Sequence, residues 1–206
     1  MKSLNIGIDL DNTIISYGDI FHRLAIEKQY ISFDVPKNKK IIRDTIRLLP
    51  DGEIKWQKLQ GLVYGPMILH ATFIKGVFEF IKKALLNQCK IYIVSHKTNF
   101  SQYDPTKTNL RNAALMWMEK KSFFDPNYLG LKKDNIFFEN NRLEKIKKIE
   151  ELNCTHFIDD LEETFLEPSF PNHIHKILYS PFSEVVLNDI ATFQTWERIR
   201  IHIFGS

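Results

Sequence analysis

Short apolar runs alternate along the chain with segments of helical spacing. The runs have the length of buried strands, and they cover residues 4–8, 90–94, 136–138, 156–158 and 174–179. Between them, apolar residues recur at helical intervals, for example Val77, Phe80, Ile81, Ala84 and Leu85. Strands that alternate with helices predict βαβ units. We therefore expect an α/β fold, a parallel sheet with helices on both faces.

One segment breaks this alternation. Residues 17–72 show helical patterns at 19–30, 36–48 and 52–62, with turn signals at Pro50-Asp51-Gly52 and Gly65-Pro66, and they contain no convincing strand. We predict that 1–16 and 73–206 form the core and that 17–72 is a small inserted α-helical cap. Near the C-terminus, 189–202 is predicted as a helix that carries Trp196 and packs on the core or forms a homodimer contact.

The composition narrows the function classes. The chain has 206 residues, of which 44% are hydrophobic, and its formal charge is only +3, so nothing favours a nucleic-acid partner. No stretch reaches the length of a membrane span. Cys89 and Cys154 form neither a disulfide framework nor a zinc ligand set. Reduced thiols of this kind predict a cytoplasmic protein.

Polar side chains follow three of the predicted strands. The first strand ends in Asp9-Leu10-Asp11-Asn12-Thr13, the second in Ser95-His96-Lys97, and a later one in Asp159-Asp160. Ligands bind at the carboxyl ends of strands in open parallel sheets. Four carboxylates at one sheet edge need a cation or a protonated member. Hard oxygen ligands suit Mg²⁺.

These residue types fit phosphoryl transfer. Asp9 can attack phosphorus and form an aspartyl-phosphate, which divides one difficult step into two. Asp11 can protonate the leaving oxygen and later take a proton from water. Ser95 can hydrogen-bond a phosphoryl oxygen, and a lysine is wanted to neutralise the anionic nucleophile and phosphate.

The same residues resemble the motifs of the haloacid dehalogenase (HAD) superfamily. The run Ile6-Gly7-Ile8-Asp9-Leu10-Asp11-Asn12-Thr13 looks like its first motif, Tyr92-Ile93-Val94-Ser95 its second, and His156-Phe157-Ile158-Asp159-Asp160 its fourth. The third motif is a lysine at the start of the helix before the paired acids. Lys145, 14 residues before Asp159, fits best, with Lys147 and Lys148 as competitors.

The resemblance implies a Rossmann-like core, a type 1 helical cap and bound Mg²⁺. It implies that the Asp9 side chain, the Asp11 backbone carbonyl and Asp160 hold the metal, and that Asp159 acts through a water or a hydrogen bond. Phosphatases and phosphomutases of this superfamily have an acid at the position of Asp11, whereas its dehalogenases do not.

Further residues are candidates for binding the substrate. Thr13, His96 and Lys97 lie beside the predicted site, although His96 and Lys97 could equally be surface residues. Residues 35–58 of the predicted cap carry a formal charge of +4, more than the whole chain, and such a surface steers anions. Arg43 and Arg47, at i and i+4, are the preferred contacts there.

The sequence therefore predicts a Mg²⁺-dependent phosphomonoesterase that acts on a small phosphorylated metabolite. Two alternatives stay open at this point. A sugar phosphomutase or phosphotransferase would use the same chemistry with a sugar hydroxyl in place of water. A catalytically weak accessory or binding protein would keep the fold alone.

Overall fold

The computed structural model describes residues 4–104, 106–182 and 188–205. Its strands are β1 (Asn5–Ile8), β2 (Ile15–Ser16), β3 (Thr72–Phe73), β4 (Lys90–His96), β5 (Ile136–Glu139), β6 (His156–Asp159), β7 (His175–Tyr179) and β8 (Ile190–Phe193). Its α-helices are α1 (Gly18–Glu27), α2 (Lys39–Arg47), α3 (Gly52–Tyr64), α4 (Val77–Leu86), α5 (Leu110–Lys120), α6 (Arg142–Glu151), α7 (Glu162–Phe165) and α8 (Trp196–Phe204). Short 3₁₀ helices cover Ile68–His70 and Lys133–Asn135.

Six strands form one parallel sheet in the order β5-β4-β1-β6-β7-β8. β1 lies between β4 and β6, with Ile6 opposite Ile91 on one side and His156 on the other. This arrangement confirms the predicted α/β fold with a parallel sheet. β2 and β3 form a separate two-stranded ladder.

Both faces of the sheet are covered, as its apolar strands require. On one face Val94 and Phe157 pack with Ile146 and Ile149 of α6. Ile93, the neighbour of Val94 on the strand, is equally buried and points to the opposite face. α4 and α8 are joined by the rings of Phe80 and Trp196, whose centroids lie 4.9 Å apart.

By its internal contacts the chain divides into two compact units. The first holds the residues up to Ile15, Phe73–Lys97 and the residues from Ser122 onward, and the second holds Ser16–Thr72 and Thr98–Lys121. The second unit therefore includes α5, which the sequence analysis had assigned to the core. The reason is visible in α5 itself, because Trp117 is fully buried and its Nε1 donates a hydrogen bond to the carbonyl of Ala71 at 3.0 Å.

The second unit is helical. The ring of Phe21 stacks on Trp56 at 5.0 Å, and Tyr17 meets Tyr64 edge-on at 4.8 Å. The three helices predicted between 17 and 72 are present, as α1, α2 and α3. Whether this segment serves as a cap stays a prediction. Among the described residues, no helix is both long and apolar enough to cross a membrane.

The predicted helix over 189–202 is wrong in its first half. Residues Ile190–Phe193 form β8, which pairs in parallel with β7, and the helix begins only at Trp196. The start of the helix is set by Thr195, whose side chain accepts a hydrogen bond from the backbone N–H of Arg198 at 3.3 Å. The strand before it is rich in β-branched and aromatic residues, which favour a sheet.

Candidate active site

The predicted site residues of the first unit lie at the carboxyl ends of three neighbouring strands. Asp9 follows β1 directly, and its backbone N–H donates to the carbonyl of Ile158 in β6 at 2.9 Å. Ser95 lies near the end of β4, and Asp159 is the last residue of β6. Because β1 is the middle strand, the Asp9 side chain starts from the centre of this edge.

The loop after β1 turns back on itself at once. The backbone N–H groups of Ile14 and Ile15 both donate to the carbonyl of Leu10, at 2.9 and 3.0 Å. Asn12 adopts a left-handed conformation with φ of 63°, which asparagine tolerates better than most residues. The turn keeps Asp11 and Thr13 at the sheet edge.

Thr13 and Asp160 join this loop to the end of β6. The Thr13 hydroxyl donates to Asp160 Oδ1 at 3.2 Å, and Thr13 is fully buried. On its other side, the carbonyl of Thr13 accepts a hydrogen bond from Trp196 Nε1 at 3.0 Å. Thr13 is therefore part of the structural support of the loop. The substrate contact predicted for it stays a prediction.

Lys145 places its ammonium group between two of the carboxylates. Its Nζ lies 2.6 Å from Asp9 Oδ1 and 2.8 Å from Asp159 Oδ2, and its side chain is only 3% exposed. It lies in the first turn of α6, where Asn141 caps the helix by accepting a hydrogen bond from the backbone N–H of Glu144. The N-cap thus fixes the part of the helix from which Lys145 reaches the site.

The two competing lysines point elsewhere. Lys147 and Lys148 both pair with Glu151, at 3.9 and 2.5 Å. Lys147 is exposed and Lys148 is half-buried with its Nζ 5.5 Å from the centroid of the Phe137 ring, whereas Lys145 is buried with Ile146 and Ile149. Of the three candidates, Lys145 is the one whose ammonium contacts Asp9.

Burial and neighbouring charges have opposing effects on the pKa values of Asp9 and Lys145. Burial raises the pKa of Asp9, Lys145 lowers it, and the neighbouring Asp159 and Asp11 raise it again, so that the pKa lies at about 6. Burial lowers the pKa of Lys145, but the charges of Asp159 and Asp9 outweigh burial and leave the pKa raised. Lys145 is therefore a cation at neutral pH, and its charge opposes the effect of burial on the pKa of Asp9.

A second lysine contacts the other predicted catalytic carboxylate. Lys97 Nζ lies 2.7 Å from Asp11 Oδ2, and the Lys97 side chain is 3% exposed. From the sequence Lys97 was expected near the substrate, and its ion pair with Asp11 was not expected. His96, one residue earlier, is exposed, and Ser95 is buried. This alternation follows from the period of two along a strand.

Asp159 and Asp160 take different positions. Asp159 is fully buried, and besides Lys145 it accepts a hydrogen bond from the backbone N–H of Leu161 at 3.0 Å. Asp160 is only partly buried and is bonded by Thr13. One carboxylate oxygen from each of Asp9, Asp159 and Asp160 lies within 4.8 Å of the others. Three such oxygens could hold a metal ion together.

Formal charge supports a divalent cation at this place. The carboxylates of Asp9, Asp11, Asp159 and Asp160 meet the ammonium groups of Lys97 and Lys145. The carboxyl groups outnumber the ammonium groups, and excess negative charge remains even when one carboxyl group carries a proton, so a divalent cation is favourable there. Oxygen donors alone, and carboxylates among them, are the ligands that Mg²⁺ prefers. The residues present therefore fit the predicted ion.

The two arginines predicted to bind substrate belong to the second unit. Arg43 Nε lies 2.8 Å from Asp44 Oδ1, and Arg47 Nε lies 2.6 Å from Glu53 Oε2. Each arginine thus has an acidic partner on the surface of its own unit. Their contact with a substrate stays a prediction.

Sequence reasoning missed the support of the site from Trp196. The indole that holds the loop after β1 comes from α8, 183 residues along the chain from Thr13. No local pattern links the two positions. The sequence offers only a tryptophan directly after a threonine, a residue type that often caps the start of a helix.

Comparison with solved structures finds many HAD-superfamily hydrolases. One from Ehrlichia chaffeensis is 17% identical, with a TM-score of 0.55, and covers 98% of this chain and 97% of its own. The candidate HAD hydrolase YfnB from Bacillus subtilis, whose structure holds magnesium, is 14% identical over the full length of both chains, with a TM-score of 0.59. A candidate phosphoglycolate phosphatase from Lactobacillus delbrueckii subsp. bulgaricus is 12% identical over the full length of both, with a TM-score of 0.60.

No protein-family model and no curated protein matches the chain. At identities this low, the likeness to solved structures establishes the fold. The chain has the α/β fold of the HAD-superfamily hydrolases, as the motifs at its strand ends had indicated.

Proposed function

We propose that this chain, with the fold of the HAD hydrolases, is a Mg²⁺-dependent phosphomonoesterase that acts on a small phosphorylated metabolite. One observation carries the proposal. Asp9 stands at the carboxyl end of the central strand, paired at 2.6 Å with the buried ammonium of Lys145 and grouped with Asp159 and Asp160. A carboxylate in such a setting suits nucleophilic attack on phosphorus.

The proposed metal ligands are the side chains of Asp9 and Asp160 and the backbone carbonyl of Asp11. Asp159 is assigned an indirect role, since its carboxylate already accepts hydrogen bonds from Lys145 and Leu161. When bound, Mg²⁺ supplies positive charge that reduces the repulsion between the anionic nucleophile and the phosphate. The neighbour from Bacillus subtilis that is bound to magnesium is consistent with Mg²⁺ as the proposed ion.

In the proposed first half of the reaction, an Asp9 carboxylate oxygen attacks phosphorus. The bond from phosphorus to the leaving oxygen breaks, and that oxygen takes its proton from the Asp11 carboxyl group. The product alcohol leaves, and Asp9 carries the phosphoryl group. Lys145 and Ser95 are proposed to offset the negative charge on the transferring group, by an ion pair and a hydrogen bond.

In the second half, water attacks the same phosphorus atom. Asp11, now a carboxylate, accepts a proton from the water, and the bond from phosphorus to Asp9 breaks with its electron pair returning to Asp9. Inorganic phosphate leaves, and both carboxyl groups regain their starting state. The base must lie within hydrogen-bond reach of the water for this step.

The proposal of a small substrate rests on the proposed role of residues 17–72 as a cap, because a closing cap excludes water and large substrates. Thr13, His96, Arg43 and Arg47 are proposed substrate contacts. Among the neighbours, the candidate phosphoglycolate phosphatase is consistent with a substrate of this size.

The decisive experiment measures hydrolysis of p-nitrophenyl phosphate with Mg²⁺ and with EDTA. We expect activity only with the metal, and we expect Asp9→Asn to lower kcat by at least about 1,000-fold, because it removes the nucleophile. The matched control is Asp134→Asn, an exposed aspartate on a 3₁₀ helix, which should leave kcat unchanged. An active Asp9→Asn variant would overturn the mechanism. If the wild type is active, a screen of phosphorylated metabolites would identify its substrate.

A further inference from the structure

The site contains a second buried lysine that the proposed chemistry has not used. Lys97 lies directly after β4, and its backbone N–H donates to the carbonyl of Glu139 in β5 at 2.9 Å. Its ammonium group lies 2.7 Å from Asp11 Oδ2, with the lysine side chain 3% and the aspartate side chain 17% exposed. Both ends of the residue are thus tied to neighbouring elements of the same unit.

The two buried lysines contact different carboxylates. Lys145 contacts Asp9 and Asp159, whereas Lys97 contacts Asp11. A buried ammonium is costly unless a charged partner compensates for it. Asp11 therefore compensates for the buried charge of Lys97, and Lys97 in turn restrains the orientation of the Asp11 carboxylate.

The backbone around Asp11 is fixed by the turn after β1, through the hydrogen bonds of Ile14 and Ile15 to Leu10. A fixed backbone still leaves the carboxylate free to change rotamer. A charge-assisted hydrogen bond of 2.7 Å from a buried donor selects one orientation of the carboxylate.

We propose that Lys97 is a positioning residue, whose ammonium holds the Asp11 carboxylate in the orientation that accepts a proton from water. The inference rests on the proposed function and concerns the second half of the proposed reaction, the hydrolysis of the aspartyl-phosphate. There the attacking water gives its proton to Asp11, its oxygen bonds to phosphorus, and the bond from phosphorus to Asp9 breaks. Lys97 takes no part in bond formation, and it acts through Asp11 rather than by touching the substrate.

Replacement of Lys97 by methionine separates these two roles by kinetics. p-Nitrophenolate is a good leaving group that needs little help from an acid, so phosphorylation of Asp9 should stay fast. Slower hydrolysis of the aspartyl-phosphate lowers kcat, by up to about 100-fold when the general base is misplaced. Because the intermediate accumulates, KM falls by a similar factor.

Two further readouts follow from the same change. kcat/KM, which covers only the steps through phosphorylation of Asp9, should stay within about threefold of wild type. Rapid mixing should show a burst of p-nitrophenol that approaches one equivalent per enzyme, because the first turnover outpaces the second half of the reaction. A role in packing alone produces neither the fall in KM nor the burst.

The matched control is Lys90→Met, at the exposed first position of β4, the strand that Lys97 follows, and it should leave all three quantities unchanged. Lys97→Gln is measured beside Lys97→Met, since it keeps a hydrogen-bond donor without the charge and is milder to bury. It should show the same signature with a smaller fall in kcat. Circular dichroism identifies the folded variants, and Lys97→Gln provides the test if Lys97→Met is unfolded.

The outcomes distinguish failure of this inference from failure of the proposed phosphatase function. A higher KM with a tenfold or larger loss in kcat/KM and no burst would assign Lys97 to substrate binding. A lower kcat with unchanged KM and no burst would reduce it to a structural role. Either result overturns the inference while the wild type stays an active phosphatase. Failure of the wild type to hydrolyse the ester would overturn the proposed function, and the role of Lys97 with it.

Discussion

The ammonium group of Lys145 lies among carboxylates in a site that excludes most solvent. Two contacts below 3 Å, to Asp9 and Asp159, replace the water that the ion lost on burial. In surroundings of low polarity such contacts are strong, and so is the penalty for leaving one partner alone. The folded state and the proposed reaction therefore depend on the same side chain.

Lys145→Met tests both consequences. Without the ammonium, the Asp9 and Asp159 carboxylates repel each other, so we expect the free energy of unfolding without metal to fall by about 3–5 kcal/mol. We also expect at least about a 100-fold loss of phosphatase kcat. Urea unfolding and steady-state kinetics measure the two effects.

The matched control for this variant is Lys147→Met, two residues along the same helix, where the lysine pairs with Glu151 at the surface. A surface pair contributes at most about 1 kcal/mol, so this variant should resemble wild type in both assays. Equal effects of the two substitutions would contradict the assignment of Lys145 to the site.

At the scale of the elements, α8 supports the loop that carries the proposed acid and base. Trp196 is fully buried at the start of the helix, its ring packs on Phe80 of α4, and its N–H reaches the carbonyl of Thr13. The loop after β1 is thus held by a helix from the far end of the chain. From local pattern alone, α8 was predicted to begin at residue 189 and so to include β8. Residues 189–202 contain no glycine or proline that would interrupt a helix.

Trp196→Phe should therefore weaken the fold. The substitution leaves the Thr13 carbonyl without its donor and opens a small cavity, and together these lower the free energy of unfolding by about 1–3 kcal/mol. Glu197→Gln, at the next and exposed position of α8, is the control and should change it by less than about 0.5 kcal/mol. Urea denaturation followed by circular dichroism compares them, and equal stability of the two variants would refute the supporting role.

At the scale of the whole molecule, stability should respond to acid through a cluster of histidines at the amino end of the sheet. His156 at the start of β6 stacks on His175 at the start of β7, with 4.7 Å between ring centroids. Burial lowers the pKa of His156 to about 4, with further lowering by His175 and His202. Thr155 Oγ1 lies 3.0 Å from its Nδ1.

The direction of the effect follows from the lowered pKa. In the unfolded chain His156 takes up a proton near its ordinary pKa of about 6.5, whereas the folded protein resists protonation down to about 4. Acid therefore favours the unfolded state between these values. We expect His156 to account for about 1–2 kcal/mol of the stability lost from pH 7 to pH 5.

Urea denaturation of His156→Gln at both pH values measures this contribution, because the variant should lose less stability than wild type on acidification. His173→Gln changes an exposed histidine close by in sequence and should follow the wild-type pH dependence. An unchanged pH dependence in His156→Gln would place the acid sensitivity elsewhere.

The sequence by itself determined five of the six strands of the sheet and the edge at which the candidate site lies. Apolar runs ending in Asp9, Ser95 and Asp159 are sufficient for this, because burial makes a strand apolar and parallel pairing brings the strand ends to one edge. The order of the motifs also favoured Lys145. It lies 14 residues before Asp159, a separation in sequence that leaves room for a helix followed by the next strand.

Only the tertiary structure decided which groups meet. It paired Lys97 with Asp11, chose Lys145 over Lys147 and Lys148, made 190–193 an edge strand and brought Trp196 to Thr13. These contacts join residues up to 183 positions apart. Local periodicity reports which side of an element is buried, but the partner on that side is set by packing between elements, which no local pattern encodes.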